Sequence, residues 1–266
     1  MTKPHTDRNT LLDACNALLT PERFTDYGPN GLQVEGKPVI RKIVSGVTAS
    51  RALIEAAIEA RADAIFVHHG LFWRGQSGTV TGWMKQRLAL LLAHDINLLA
   101  YHLPLDAHPE LGNNAQLGQK LGFLPVKKED QPEIKHFGEQ SLGWLAQVQS
   151  SGSGHFLNAQ QLKIHLEKCL NRSVASVFVD DVAIKNIAWC TGGAQSYFEA
   201  AIAAGADAFI TGEISEPQAH LARECGVAYF ACGHHATERY GAPAVAAHLA
   251  AQLGIAHEFI EIDNPA

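Results

Sequence analysis

The sequence predicts an α/β protein built by internal duplication, each half running strand, helix, strand, helix, strand around a parallel sheet. The first observation behind this reading is an ungapped echo: EAAIEARADAIFVHHG at 55–70 returns as EAAIAAGADAFITGEI at 199–214. The second is that IFV in one copy and FIT in the other are unbroken apolar runs, as expected of parallel strands buried on both faces. The third is the Ala-rich stretch before each run, which has helical spacing and helix-favouring composition.

In chain order, KIVSGVTAS (42–50) is a β-rich run ahead of the first Ala-rich helix, and NIAWCTGGA (186–194) takes the same place in the second half. Beyond IFV and FIT comes a helical stretch, then another apolar strand in INLLAYHLPLD (96–106) and VAYFACGHHATE (227–238). PVKKEDQPE (125–133) and SSGSGH (150–155) read as loops. SLGWLAQVQ (141–149) and NAQQLKIHLEKCL (158–170) read as a strand and a helix inserted into the second half. The halves are drawn at 1–126 and 127–266, with the C-terminal tail free to pack on the first.

Composition narrows the function classes. Hydrophobic residues at 47% and charged residues at 18%, over 266 residues, describe a globular chain able to bury a sizeable core. No apolar run reaches the length of a membrane span, and MTKPHTDRNT lacks the apolar core of a signal peptide, so a cytoplasmic location with no membrane role is expected. Five cysteines form no CxxC pair and fit reduced thiols better than a disulfide framework. A net charge of −6 gives no basic footprint for duplex nucleic acid.

Histidine is the unusual abundance, with fourteen copies, several at the ends of predicted strands. Ligands of open parallel sheets bind beyond the carboxyl ends of the strands. There stand His68 and His69 after AIFV, His102 and Asp106 after NLLAY, and His234, His235 and Glu238 after VAYFAC. Successive residues of a straight strand face opposite ways, so His68 and His69 suit either a strand end that turns or two ions side by side. His234 and Glu238, four apart, share a face if a helix begins near His234, and could converge on a metal. Glu238 could bridge two ions, and Asp106 could complete the cluster. No thiolate quartet is present, so a closed structural zinc site is not indicated. Cys190 and Cys232, near strand ends, read as small buried apolar residues. CTGG (190–193) lacks the lysine of a phosphate loop, and Arg74 and Arg239 are the cations nearest in sequence for a triphosphate.

With these residues in place, the chain resembles the YbgI-like, or NIF-three-like, family of toroidal hexamers with a dinuclear metal centre, whose members commonly carry the name GTP cyclohydrolase I type 2 homologue. The matching motifs are YGPNGLQVEG (27–36), FVHHGLFW (66–73), YHLPLDAHPELGNN (101–114), WCTGGAQS (189–196), TGEISE (211–216) and GHHATERYG (233–241). By position, the resemblance places the family's metal ligands on His68, His69, Asp106, His234 and Glu238, the glutamate bridging. It implies two interlinked α/β domains with the metal site at strand ends between them, and a homohexamer built as a trimer of dimers.

The chemistry so implied is a hydrolase with two divalent ions per chain, opening the purine ring of GTP by water attack at C8 with release of formate. His and carboxylate ligands suit Zn, Mn, Fe, Co and Ni alike. His102 or His235 could carry a proton to the leaving nitrogen. Glu213, which aligns with His69 in the repeat, is a further acid/base candidate or a support for a ligand. The competing class is a non-catalytic metal protein: a metallochaperone, a store or a regulatory partner. A ring threaded by nucleic acid would need basic residues gathered on its inner rim, against the overall charge.

Overall fold

The structure is a computed structural model that describes residues 4–123, 134–147, 158–179 and 183–266. The loops read at 125–133 and 150–155 lie outside these residues, as do the last two positions of the strand read at 141–149. The chain divides into two compact units, Met1–Gly112 with Arg239–Asp263, and Asn113–Glu238 with Asn264–Ala266.

The first unit opens with β1 (Thr6–Asp7), α1 (Arg8–Leu19), β2 (Gly31–Val34) and β3 (Val39–Ile40). It continues through β4 (Lys42–Thr48), α2 (Arg51–Glu59), β5 (Ala64–His69), α3 (Gly82–Ala93), β6 (Asn97–Ala100) and α4 (Leu103–Ala107). The second unit holds α5 (Asn113–Lys120), β7 (Lys135–Phe137), β8 (Gly143–Gln147), α6 (Ala159–Leu170) and β9 (Ala175–Val177). After these come β10 (Asn186–Trp189), α7 (Phe198–Ala203), β11 (Ala208–Thr211), α8 (Glu216–Cys225), β12 (Ala228–Ala231) and α9 (His234–Glu238). The chain then returns to the first unit as α10 (Gly241–Leu253) and β13 (Ala256–Phe259).

In the first unit the sheet order is β13-β4-β5-β6-β2, with β13 to β6 parallel and β2 antiparallel at the edge. Alternation along the strands sorts the core into two layers, as the two-residue period of a strand requires. Val44, Ile65, Val67 and Leu98 pack with Leu53 and Ile54 of α2 and Leu88 and Leu91 of α3. Ile43, Phe66 and Leu99 face the other way, onto Leu11 and Cys15 of α1 and Val245 and Leu249 of α10. The C-terminal segment belongs here because β13 pairs with β4 from Ala256 opposite Lys42 to Phe259 opposite Ser45. His257 Nε2 lies 2.8 Å from Ser45 Oγ across that pairing.

The second unit repeats the plan. Strands β10, β11 and β12 are parallel and adjacent, and β9 adds antiparallel beyond β12, as β2 does beyond β6. On the other side β8, from the inserted segment, pairs antiparallel with β10. The helix read at 158–170 forms as α6, capped by the Asn158 side chain on the Gln161 amide, with Leu162, Leu166 and Leu170 buried at four-residue spacing. Phe198 of α7 stacks on Phe209 of β11 at 5.7 Å and meets Tyr229 of β12 edge-on at 4.8 Å.

The ADA tripeptide of each repeat has a structural task. Asp63 Oδ2 accepts the backbone N–H groups of Arg41 and Lys42 at 2.7 and 3.1 Å. Asp207 Oδ2 accepts those of Lys185 and Asn186 at 2.9 and 2.8 Å. In both units one carboxylate therefore ties the start of the first parallel strand to the start of the second. Asp63 is buried and also meets Lys37 Nζ at 3.0 Å, whereas Asp207 is half-buried. Hydrogen bonds to a charged group contribute roughly 1.5–3 kcal/mol. Asp63→Ala should lower the unfolding free energy by about 3 kcal/mol and Asp207→Ala by about 1.5 kcal/mol in urea denaturation. Losses under about 0.5 kcal/mol at both positions would show that the shared geometry is incidental.

Candidate metal centre

The first unit gathers three histidines and two carboxylates where its parallel strands end. Strand β5 is buried from Ala64 to His68, and its last two residues are His68 and His69. His68 lies fully buried, with Nδ1 3.2 Å from the Tyr101 carbonyl. A carbonyl can only accept, so Nδ1 carries the proton and Nε2 keeps its lone pair. That Nε2 is 3.6 Å from Asp106 Oδ1. His69 Nδ1 lies 3.1 Å from Thr48 Oγ1 at the end of β4.

The apolar run read as one strand over 96–106 stops being a strand at Ala100. Pro104 sits in the first turn of α4, where its missing N–H costs nothing, and the short helix carries Asp106. His102, at the bend, is aimed by a carboxylate: its Nδ1 is 2.7 Å from Asp26 Oδ1. Asp26 Oδ2 accepts from Asn30 Nδ2 and the Leu103 amide, both at 2.9 Å. Burial alone would raise the Asp26 pKa, but these donors outweigh it and hold the carboxyl at about 2. One nitrogen from each of His68, His69 and His102 lies within 4.8 Å of the others. The two neighbouring strand histidines thus share one locality, their ring centroids 4.4 Å apart.

In the second unit β12 ends at Ala231, and Gly233, at φ +97°, turns the chain into α9. A helix does begin at His234, so His234 and Glu238 share a face, with Nε2 and Oε2 3.1 Å apart. The other ring nitrogen, Nδ1, is 2.6 Å from Glu213 Oε1 in the loop after β11. Glu213 is held in turn by Gln195 Nε2 on its Oε2 at 3.2 Å, and by the Tyr229 hydroxyl on its carbonyl at 2.7 Å. Glu213 therefore orients a ligand candidate, the arrangement by which carboxylates fix metal-binding histidines.

Room for a cation is built in at Gly192, which follows β10 at φ +71°. A Cβ there would strike Glu238 Oε1 and come within 3.1 Å of His234 Nε2. Threonines lock this backbone: Gly192 N–H donates to Thr237 Oγ1 and its carbonyl accepts from Thr211 Oγ1, both at 3.0 Å. The donors fit a divalent transition ion. They are imidazole nitrogens with the second ring nitrogen already placed, together with carboxylate oxygens and no thiolate.

Residues 6–265 match the family described as Duf34/NIF3 (NGG1p interacting factor 3). The chain belongs to this family. A Neisseria meningitidis protein named GTP cyclohydrolase 1 type 2 homolog is 48% identical over 262 residues, covering 97% of this chain and 99% of that one. A Pseudomonas aeruginosa protein of the same name is 47% identical over 258 residues, covering 97% and 98%. Among solved structures, the protein ybgI, described as of unknown function, is 43% identical with a TM-score of 0.86, covering 98% of this chain and all of that one. TTHA1606 from Thermus thermophilus is 32% identical with a TM-score of 0.78 over the same shares. The resemblance read from GHHATERYG and its companion motifs is to this DUF34/NIF3 family.

Other residues singled out in the sequence fall outside these donor groups. His235 is buried one position along α9, about 100° round the helix from His234. Cys190 and Cys232 are buried, and burial pushes the Cys232 thiol well above its ordinary range. Arg74 Nη2 donates to the Asp26 carbonyl at 2.6 Å, and Arg239 Nε to the Tyr240 hydroxyl at 3.4 Å. No helix among the described residues is long and apolar enough to cross a membrane. Two supporting residues escaped sequence reasoning: Asp26 behind His102 and Thr48 behind His69. Asp26 stands one position before YGPNGLQVEG, the only sequence signal that touches it.

His234 has a checkable titration. Burial would lower its pKa, but the flanking carboxylates Glu238 and Glu213 outweigh that and raise it to about 9. In metal-free protein the ring should titrate by NMR near 9, and nearer the ordinary value in Glu213→Gln. Because the folded pKa lies above the unfolded one, this group's contribution to stability is complete below about pH 6.5 and fades as pH rises through about 9. A midpoint near the ordinary histidine value in the unaltered chain would refute the pairing.

Proposed function

We propose that His68, His69, Asp106, His234 and Glu238 together hold two divalent transition ions, and that the protein is a metal-dependent hydrolase of GTP cyclohydrolase type. One observation carries this reading. In each unit, imidazole and carboxylate donors stand at the carboxyl ends of parallel strands, with the far side of each imidazole already engaged. The name shared by relatives at 47–48% identity supports GTP as the substrate to try first.

Two ions, when bound, supply an activated water and a Lewis acid for a substrate oxygen. The chain's own groups do the rest. Glu238, almost fully buried, contributes a carboxylate that could serve both ions. Five donor residues leave positions open for water and substrate, as a catalytic site requires. We place the proton shuttle on His102, because Asp26 behind it fixes the ring's direction and tautomer. His102 would deliver the proton to the purine nitrogen released when one water adds at C8 and opens the ring; a second water would hydrolyse the resulting formamide and release formate. His235 is the second candidate, and Glu213 acts by holding His234. A ring of six chains, assembled as a trimer of dimers, belongs to the same proposal.

The test is formate release from GTP by protein loaded in turn with Zn, Mn, Fe, Co and Ni. Activity should appear with at least one ion and fall at least about 100-fold in Glu238→Ala. It should fall roughly 10²- to 10⁴-fold in His102→Ala with metal content unchanged. Metal bound but no formate with any ion would sink the cyclohydrolase reading and favour a metal carrier, which should then pass its ions to an acceptor.

A further inference from the structure

A pocket of about 390 Å³ opens in the second unit, and of the donor residues His234 lines it. Its lining includes Arg172 and Ser173, just past the end of α6, and Glu213, Ile214 and His234. Small residues, Ala175, Gly212, Ala231 and Gly233, also line it. Ala175 and Ala231 face each other across the β9–β12 pairing. A Cβ on Gly233 would strike Arg172 Nη1, and one on Gly212 would lie 2.6 Å from His234 Cα. Glu213, the acidic side chain of the pocket, is already engaged by His234 and Gln195. Ile214 is 37% exposed and offers an apolar surface beside it.

Arg172 is positioned rather than trailing in solvent. The α6 cap Asn171 is left-handed at φ 54°, and the Arg172 amide bonds back to the Glu167 carbonyl at 3.3 Å. Its Nη1 donates to the main-chain oxygen of Ala266 at 3.1 Å and its Nη2 to the Pro265 carbonyl at 2.8 Å. Its Nε–H is buried and has no hydrogen-bond partner among the described residues. Two oxygens set before the fork of a guanidinium is the arrangement a carboxylate or phosphoryl group adopts there. The Pro265 carbonyl is a neutral acceptor, so an anion that takes its place at the fork forms a charge-assisted bond roughly twice as strong.

We propose that this pocket is a recognition site for a small acidic ligand. Its carboxylate or phosphoryl oxygens sit on Arg172, and the rest of it runs along Ile214 toward His234. Residues 264–266 occupy the guanidinium until the ligand displaces them. The inference stands whether or not the ligand is a nucleotide, since it rests on the pocket and the fork alone.

The experiment is calorimetric titration of the metal-loaded full chain with inorganic pyrophosphate and, separately, citrate, which distinguishes phosphoryl from carboxylate preference. At least one probe should bind, and removal of residues 264–266 should tighten it about threefold to tenfold. Arg172→Ala should weaken it about tenfold or more, and Arg172→Lys, which keeps the charge but loses the fork, by less. The truncation and the alanine variant move affinity in opposite directions, which general misfolding cannot do. Equal affinity in Arg172→Ala and the unaltered chain would place the anion on the metal ions and overturn the proposal. So would a truncated chain that binds neither probe, or that binds no more tightly than the full one.

Discussion

A parallel strand covered on both faces carries polar side chains mainly where it runs out, because one buried mid-strand needs a partner, as Ser45 has in His257. In this protein that constraint acts twice. Strands β5 and β6 of one unit and β11 and β12 of the other are buried almost throughout, and chemistry-bearing residues collect within a few positions of their carboxyl ends. The hydrophobic layers that stabilise each sheet thereby set where imidazoles and carboxylates can stand. The duplicated Asp63 and Asp207 hold the opposite ends of the same strands, so register at the start and side-chain placement at the finish are linked.

Four of the histidines gathered at the strand ends are each restrained by a neighbour. His68 leans on the Tyr101 carbonyl, His69 on Thr48, His102 on Asp26 and His234 on Glu213. A histidine whose far nitrogen is committed presents the near one in a defined direction, which reduces the ordering needed when an ion binds. Gly192 serves the same end by absence, because any side chain there would collide with Glu238.

Much of this was legible in the sequence because it depends on local pattern. The apolar runs, the Ala-rich helices and the His234–Glu238 spacing each follow from a few adjacent residues, and the strand-end rule pointed to positions where the structure gathers imidazoles and carboxylates. What stayed hidden depends on partners distant in sequence or on backbone groups. The ADA motif looks trivial until its carboxylate is seen on amides 21 and 22 residues away. Asp26 meets His102 across 76 residues. The C-terminal tail was read as free to pack on the first half, but its pairing as β13 with β4 joins positions more than 200 residues apart and was not legible. The helical turn bearing Asp106 was masked because the apolar run continues through Pro104.

The proposed function turns on His68, His69, Asp106, His234 and Glu238 as ligands of two divalent ions. Metal counting by mass spectrometry on exhaustively dialysed protein tests it most directly, comparing the unaltered chain with Asp106→Ala and Glu238→Ala. Two divalent ions per chain are expected, and both Asp106→Ala and Glu238→Ala should lower that number. Full retention of both ions in the two variants, or an unaltered chain that binds none after exposure to Zn or Mn, would contradict this assignment.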